Sequence, residues 1–201
     1  MNKVVYDQDH DLSKVDSLAE LQNMASACSR CSLRKGCSGV VFGEGNPEAR
    51  LMLIGEGPGA DEDRLGRPFV GRAGQLLDRI LAAVDMERFT HVYIANVVKC
   101  RPPGNRAPQA DEAAACLPWL YRQIELVSPR IIVLLGSTAL QNLIEPGAKI
   151  TVMRGKWLVS KSGIKIMPTY HPAALLRDAS KKRPVWEDFQ KIRDEYWKDR
   201  L

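Results

Sequence analysis

The sequence predicts an α/β fold: a single-domain, three-layer sandwich with a central, mostly parallel, four-stranded sheet flanked by helices. Three observations carry that expectation. Short apolar runs alternate with amphipathic stretches of helical period. The runs lead into loops that hold Gly55, Cys100, Gly136 and His171. The 201 residues contain no linker, repeat or low-complexity segment that would divide them. Strand–helix–strand units close right-handed and leave a parallel sheet covered on both faces.

Residues 1–15 read as a flexible N-terminal arm and residues 16–201 as one domain. Asp16 or Ser17 is placed to N-cap a helix running to about Ala27, with Leu18, Leu21, Met24 and Ala25 at helical spacing. Leu51–Ile54 is an apolar run between Arg50 and Gly55, the pattern of a strand buried on both faces. A long loop from Gly55 to Gly74 leads into a helix over Gln75–Val84, whose apolar residues recur at Leu76, Leu77, Ile80, Leu81 and Val84. Val92–Val98 is the next strand; after the loop 101–109 comes a helix over Ala110–Leu126, with Asp111 and Glu112 where the helix dipole favours them. Ile131–Leu135 is a strand and Thr138–Leu143 a helix. Trp157–Ser160 and Ile164–Met167 are two shorter strands, and Asp188–Arg200 is a terminal helix. Ligands of such sheets bind at the carboxyl ends of the strands, which gathers the loops named above on one edge.

Composition narrows the class. Hydrophobic residues make up 45% and charged residues 26%, which excludes a disordered or fibrous chain. No apolar run approaches the length of a membrane span, and the polar start has no stretch of signal-peptide length, so the expectation is a cytoplasmic protein. Twenty-nine Lys and Arg against 24 Asp and Glu give a net charge of +5, compatible with a polyanionic partner and weak as a sign of one.

Five cysteines without a secretion signal argue for metal or catalytic use rather than a disulfide framework. Cys28-Ser-Arg-Cys31 has the spacing that lets two thiolates reach one metal, and Cys100 and Cys116 are the candidates to complete the set. Two close and two distant ligands suit an iron–sulfur cluster, with zinc still open. Cys37 is read as a non-ligand.

Four further features carry chemistry. Gly55-Glu-Gly-Pro-Gly59 is no dinucleotide fingerprint, because Ala60 stands at the sixth position and Pro58 lacks an N–H. It is a tight loop whose amides can cradle a small planar or anionic group, or a plain turn that leaves Asp61-Glu62-Asp63 unexplained. His171, fixed by Pro172, is an electrophile, a general acid or a turn histidine bonded to backbone. Asn96, inside an apolar strand, is a core amide or the reader of a ligand edge. Phe69 is a core residue or a stacking platform.

Together and in this order, these motifs resemble the family 4 uracil-DNA glycosylases, the iron–sulfur branch of the uracil-DNA glycosylase superfamily. The resemblance runs from Cys28 to about Arg177. It rests on Gly55-Glu-Gly-Pro-Gly59 with Glu62-Asp63, Gly66-Arg-Pro-Phe-Val-Gly-Arg-Ala-Gly74, Asn96-Val-Val-Lys-Cys-Arg-Pro-Pro103, His171-Pro-Ala-Ala-Leu-Leu-Arg177 and the four cysteines. It implies a monomeric, monofunctional DNA repair enzyme that flips uracil out of single- or double-stranded DNA and hydrolyses its N-glycosidic bond. It also implies a structural 4Fe–4S cluster on Cys28, Cys31, Cys100 and Cys116. By the same resemblance Phe69 stacks on uracil, Asn96 reads N3–H and O4, and backbone at Gly55, Glu56 and Gly57 meets the carbonyls. Glu62 stands near C5, His171 stabilises charge on O2, and Leu175, Leu176 and Arg177 enter the duplex. Gly57 stands where many relatives place a water-activating Asp or Asn, which leaves Glu56 as the hypothesis for that role. Lys99 is read as a phosphate contact or a surface residue.

Two alternatives stand beside this reading. A related branch traps uracil-DNA covalently through a basic, His-containing insertion, but the matching segment 101–109 is short and has no His. A zinc-stabilised binding module would make the set of Phe69, Asn96 and His171 a coincidence.

Overall fold

Four apolar runs form the parallel heart of one sheet. The structure is a computed structural model that describes residues 12–198. Its strands are β1 (Glu44–Gly45), β2 (Leu51–Gly55), β3 (Val92–Asn96), β4 (Ile131–Leu135), β5 (Leu158–Val159) and β6 (Lys165–Thr169), in the order β1-β3-β2-β4-β6-β5. β3, β2, β4 and β6 run parallel, and β1 and β5 close the edges antiparallel. The sheet therefore has six strands where the sequence predicts four. β5 falls inside the predicted strand Trp157–Ser160, whereas β1, two residues long, is too short to show a period; short edges also limit pairing with other chains.

The helices are α1 (Leu18–Ser26), α2 (Ala60–Leu65), α3 (Arg72–Ala82), α4 (Arg88–His91), α5 (Ala110–Val127), α6 (Ser137–Leu143), α7 (Ile150–Met153), α8 (Pro172–Arg177) and α9 (Lys182–Trp197). Alternation along the strands sends Met52, Ile54, Ile132 and Leu134 to the face covered by α1, α5 and α6. Leu51, Leu53, Val133 and Leu135 turn to the face covered by α3, α8 and α9. Both faces are dry, so the strands read as continuous apolar runs. A buried leucine on either face contributes about 1.5–3 kcal/mol.

Several boundaries differ from the sequence reading. Ser17, not Asp16, caps α1, its Oγ accepting from the Glu20 amide at 3.2 Å. The acidic run Asp61-Glu62-Asp63 is the first turn of α2, where the helix dipole favours negative charge. α9 begins at Lys182, six residues before the predicted start. Of the predicted arm, residues 1–11 lie outside the described residues. Residues 12–15 belong to the fold: Leu12 and Val15 are buried, and Arg122 of α5 donates to the Val15 carbonyl at 2.6 and 3.0 Å.

Connectivity fixes the place for a ligand. The chain passes from β2 to β3 on one side, then crosses to β4 on the other side of β2. The crevice beyond the carboxyl ends of β2 and β4 is thus a switch point, the usual binding place in such sheets. Gly55, Asn96, Gly136 and the Thr169–His171 segment stand at that edge.

Candidate active site and cysteine cavity

β2 and β3 end side by side, Gly55 paired with Asn96. A Cβ on Gly55 would lie 2.5 Å from Asn96 Oδ1 and 2.6 Å from Phe69 Cζ, so only glycine lets the strand end, the amide and the ring meet. Asn96 is 1% exposed, and its Oδ1 has no hydrogen-bond partner among the described residues. An orphaned buried amide oxygen costs about 1–3 kcal/mol, which a ligand N–H at that point would recover. The Phe69 ring lies 5.4 Å from the His171 ring, tilted by 31°. Gly136 brings the β4 loop against His171: its φ of +93° suits glycine, and a Cβ there would lie 3.0 Å from that of His171.

His171 caps α8. Its Nδ1 accepts from the Ala173 amide at 3.1 Å, so Nε2 carries the proton of the neutral ring. Burial, with Arg177 adding to it, pushes its pKa down to about 4. The ring is therefore a neutral donor at physiological pH. Glu56 follows Gly55; its carboxylate accepts from the Thr138 hydroxyl at the start of α6, which spans the switch point. Gly57 packs against the Val98 side chain, which a Cβ would approach to 2.7 Å.

The cysteines gather on the other side of β3. Cys28, Cys31, Cys100 and Cys116 line one cavity between the end of α1, the loop after β3 and α5, with Lys99 and Trp119 in its wall. Burial raises the thiol pKa values of Cys31, Cys100 and Cys116, and their mutual repulsion adds to it; Cys116 reaches about 11. Two features of the cavity point to a bound anionic group. Trp119 Nε1 is buried without a partner among the described residues. Lys99, 2% exposed, is a buried ammonium with no carboxylate in ion-pair distance among the described residues. A buried cation needs a counter-charge, and thiolates are the groups at hand. The Lys99 amide donates to Cys116 Sγ at 3.3 Å. Burial lowers the Lys99 pKa to about 8 against the pull of Cys116. Cys37 bonds to Arg34 and touches Cys100 without lining the cavity.

The loop over this cavity is held by Glu112. Arg106 grips its carboxylate in bidentate fashion at 2.7 and 2.8 Å, and Ser32 of the cysteine turn donates to it at 3.1 Å. The Arg106 guanidinium holds the Glu112 carboxyl at about 2.

The uracil DNA glycosylase superfamily model matches residues 42–198. The chain is 43% identical over 188 residues to the type-4 uracil-DNA glycosylase of Sulfurisphaera tokodaii, covering 90% of this chain and 85% of that one. It is 46% identical over 170 residues to the type-4 enzyme of Thermotoga maritima, covering 83% and 88%. With that of Saccharolobus solfataricus it shares 41% over 187 residues, 90% and 87% of the two chains. The chain belongs to the type-4 uracil-DNA glycosylase family.

Within this family member the structure rearranges part of the expected site. Gly55, Phe69, Asn96 and His171 come together. Glu62 is engaged elsewhere: its carboxylate accepts from the amides of Val70 and Gly71 at 2.9 and 2.8 Å and from Gly59 at 3.2 Å. It clamps the loop that follows Phe69. Leu175 is 3% exposed and packs in the core with Phe69, because the phase of α8 turns it inward; Leu176 is 41% exposed and Arg177 is exposed beside it. Leu175 therefore leaves the predicted wedge. Lys99 is a core residue, neither a surface group nor a phosphate contact.

Two residues escaped the sequence reading. Arg88 of α4 is buried and donates to the carbonyls of Pro68 (3.0 Å) and Phe69 (2.6 Å), to Glu44 (2.8 Å) and to Asp78 (2.9 Å). It holds Phe69 in the left-handed backbone region, φ +52°, which a phenylalanine adopts only when its surroundings impose it. Thr138 positions Glu56. Neither lies in a motif; only the fold brings them to the site.

Proposed function

We propose that this chain removes uracil from DNA, hydrolysing the N-glycosidic bond and leaving an abasic site for base-excision repair. The observation that carries the reading is the buried, partnerless Asn96 Oδ1 against Gly55 and the Phe69 ring. Family membership supports it, since the relatives compared above are named uracil-DNA glycosylases.

A uridine flipped from the stack lies with its base against Phe69. Asn96 Oδ1 accepts from N3–H and its Nδ2 donates to O4. Cytosine presents the reverse pattern at these two atoms and leaves the buried amide mispaired. Amides at Glu56 and Gly57 meet the uracil carbonyls. As the glycosidic bond breaks, charge grows on O2, and the neutral His171 donates Nε2–H to it. Glu56, steadied by Thr138, orients the attacking water; Glu56→Gln retaining near-wild-type turnover would remove it from that role. Leu176 fills the vacated space in the duplex and Arg177 meets phosphate.

Cys28, Cys31, Cys100 and Cys116 hold a 4Fe–4S cluster in this reading. The orphaned Trp119 N–H, the buried Lys99 ammonium and the four thiols lining one cavity support this reading, while among the described residues no three His, Cys, Asp or Glu side chains are already gathered closely enough to hold a single metal ion. The cluster would serve as a cross-link between the cysteine turn, the loop after β3 and α5. The partner is uracil-containing DNA, single- or double-stranded, and the enzyme acts as a cytoplasmic monomer. Among the described residues no helix is long and apolar enough to cross a membrane.

One denaturing gel tests the reading. A labelled uracil-containing strand is incubated with cluster-intact protein and run with and without hot alkali. The expected result is a cut only after alkali. A slow band that survives denaturation replaces hydrolysis with covalent trapping, and an unchanged strand in both lanes removes uracil as substrate.

A further inference from the structure

Lys99 stands in neither the base-reading set nor the cysteine set, yet it touches both. Its Nζ donates to the Asn96 carbonyl at 2.9 Å and to Gln123 Oε1. Gln123 is itself fixed: its Nε2 donates to the Phe42 carbonyl at 2.9 Å and to the Tyr93 hydroxyl at 3.3 Å. The ammonium also faces the Phe42 ring, 6.0 Å from its centroid. Its backbone amide donates to Cys116 Sγ, its carbonyl accepts from Val41 at 2.8 Å, and the next residue is Cys100. A surface lysine would lose little by moving, whereas this one is enclosed, and its ammonium meets two acceptors among the described residues, the Asn96 carbonyl and Gln123 Oε1.

We propose that Lys99 is a positioning residue for base recognition: its buried ammonium fixes the peptide that follows Asn96, and with it the direction of the Asn96 carboxamide. The 96–97 peptide is held from both of its polar ends where β3 finishes: the Val97 amide donates to the Gly55 carbonyl at 3.0 Å, and the Lys99 ammonium supplies the second bond, to the Asn96 carbonyl. With that bond absent, the Asn96 side chain samples more than one direction, and a reader that must match two base atoms at once loses most of its orientation. Because Lys99 also bonds Cys116 and adjoins Cys100, base reading and the state of the thiols are joined through one residue. The inference rests on the uracil reading above.

The test uses purified protein carrying its iron. Single-turnover uracil excision, affinity for uracil-containing duplex and iron content are measured for wild type, Lys99→Met, Asn96→Ala and the double variant. Lys99→Met should slow excision by about 10- to 100-fold, the usual range for a lost supporting contact, while duplex affinity stays within about twofold. In the Asn96→Ala background the same substitution should cost no more than about twofold, because its effect passes through Asn96. Should Lys99→Met shed its iron, Gln123→Met decides, since it keeps the ammonium beside Cys116 and removes one of its two acceptors. It is expected to retain iron and to slow excision by about 3- to 10-fold. An iron-loaded Lys99→Met that excises within about twofold of wild type, equal and independent losses in the two backgrounds, or an unaffected Gln123→Met overturns the proposal. A wild-type protein that releases no uracil sinks the underlying reading instead.

Discussion

The two regions joined by β3 are built on opposite plans. The proposed base-reading site is complete without a ligand: Arg88 clamps Phe69, Glu62 ties the following loop, Ala173 sets the His171 tautomer, and one amide oxygen is left unsatisfied among the described residues. The cysteine cavity is incomplete: burial and neighbouring sulfurs disfavour ionising its thiols, and among the described residues an indole N–H has no partner and an ammonium has no carboxylate. A recognition site must be rigid before the base arrives, so its supports are internal. A cross-linking site can leave its organisation to the group it binds, as metal-dependent folds do.

The largest expected effect is on the incomplete side. Cys100→Ser should lose iron, measured by metal analysis, and lower Tm by roughly 10 °C if about 4 kcal/mol is lost. A Tm within about 2 °C of wild type would mean that the cavity holds itself together. On the complete side the sign differs. Asn96→Ala should slow excision by about 10²- to 10³-fold, the scale of a lost transition-state donor. Its Tm should hold or rise, because the substitution removes an orphaned polar atom. A large fall in Tm would show that Asn96 is a structural amide.

Most of the fold was legible because four largely buried strands are mainly apolar, β2 and β4 throughout, and end at chemically marked loops. The Gly55–Asn96–His171 grouping followed from the strand-end rule and the family resemblance. Three things were hidden for physical reasons. Ala173-Ala-Leu-Leu-Arg177 does not reveal which leucine faces inward, since a six-residue helix is too short to fix a phase. A lysine beside a loop reads as solvated until its neighbours are known, so Lys99 passed as a surface group. The Phe69 backbone conformation is imposed by Arg88, 19 residues later in the chain.

The leucine pair is a direct test of the first of these. Leu175→Ala should destabilise the fold by about 2–5 kcal/mol, read by chemical denaturation, as a core truncation does. Leu176→Ala should change stability by less than about 0.5 kcal/mol and weaken product-duplex binding instead. Reversed outcomes would turn α8 over.

The smallest effect is in pH dependence. The folded His171 pKa, about 4, lies below its ordinary 6.5, so the folded state binds fewer protons than the unfolded chain between these values. The contribution of the neutral ring is full above pH 6.5 and is lost as pH falls through about 4. Single-turnover excision should stay flat from pH 8 to about 5.5 and fall only below that. An acid limb centred near 6.5 would mean that the ring is solvated.

The contrast between the two regions is tested most directly by hydrogen–deuterium exchange on iron-loaded and iron-stripped protein. Amides of residues 28–38 and 98–106 should exchange much faster without iron, while those of Val70 and Gly71, held by Glu62, keep their protection. Equal exchange around the cysteines in both forms would contradict the account, and so would loss of protection at Val70 and Gly71 together with the cysteine turn.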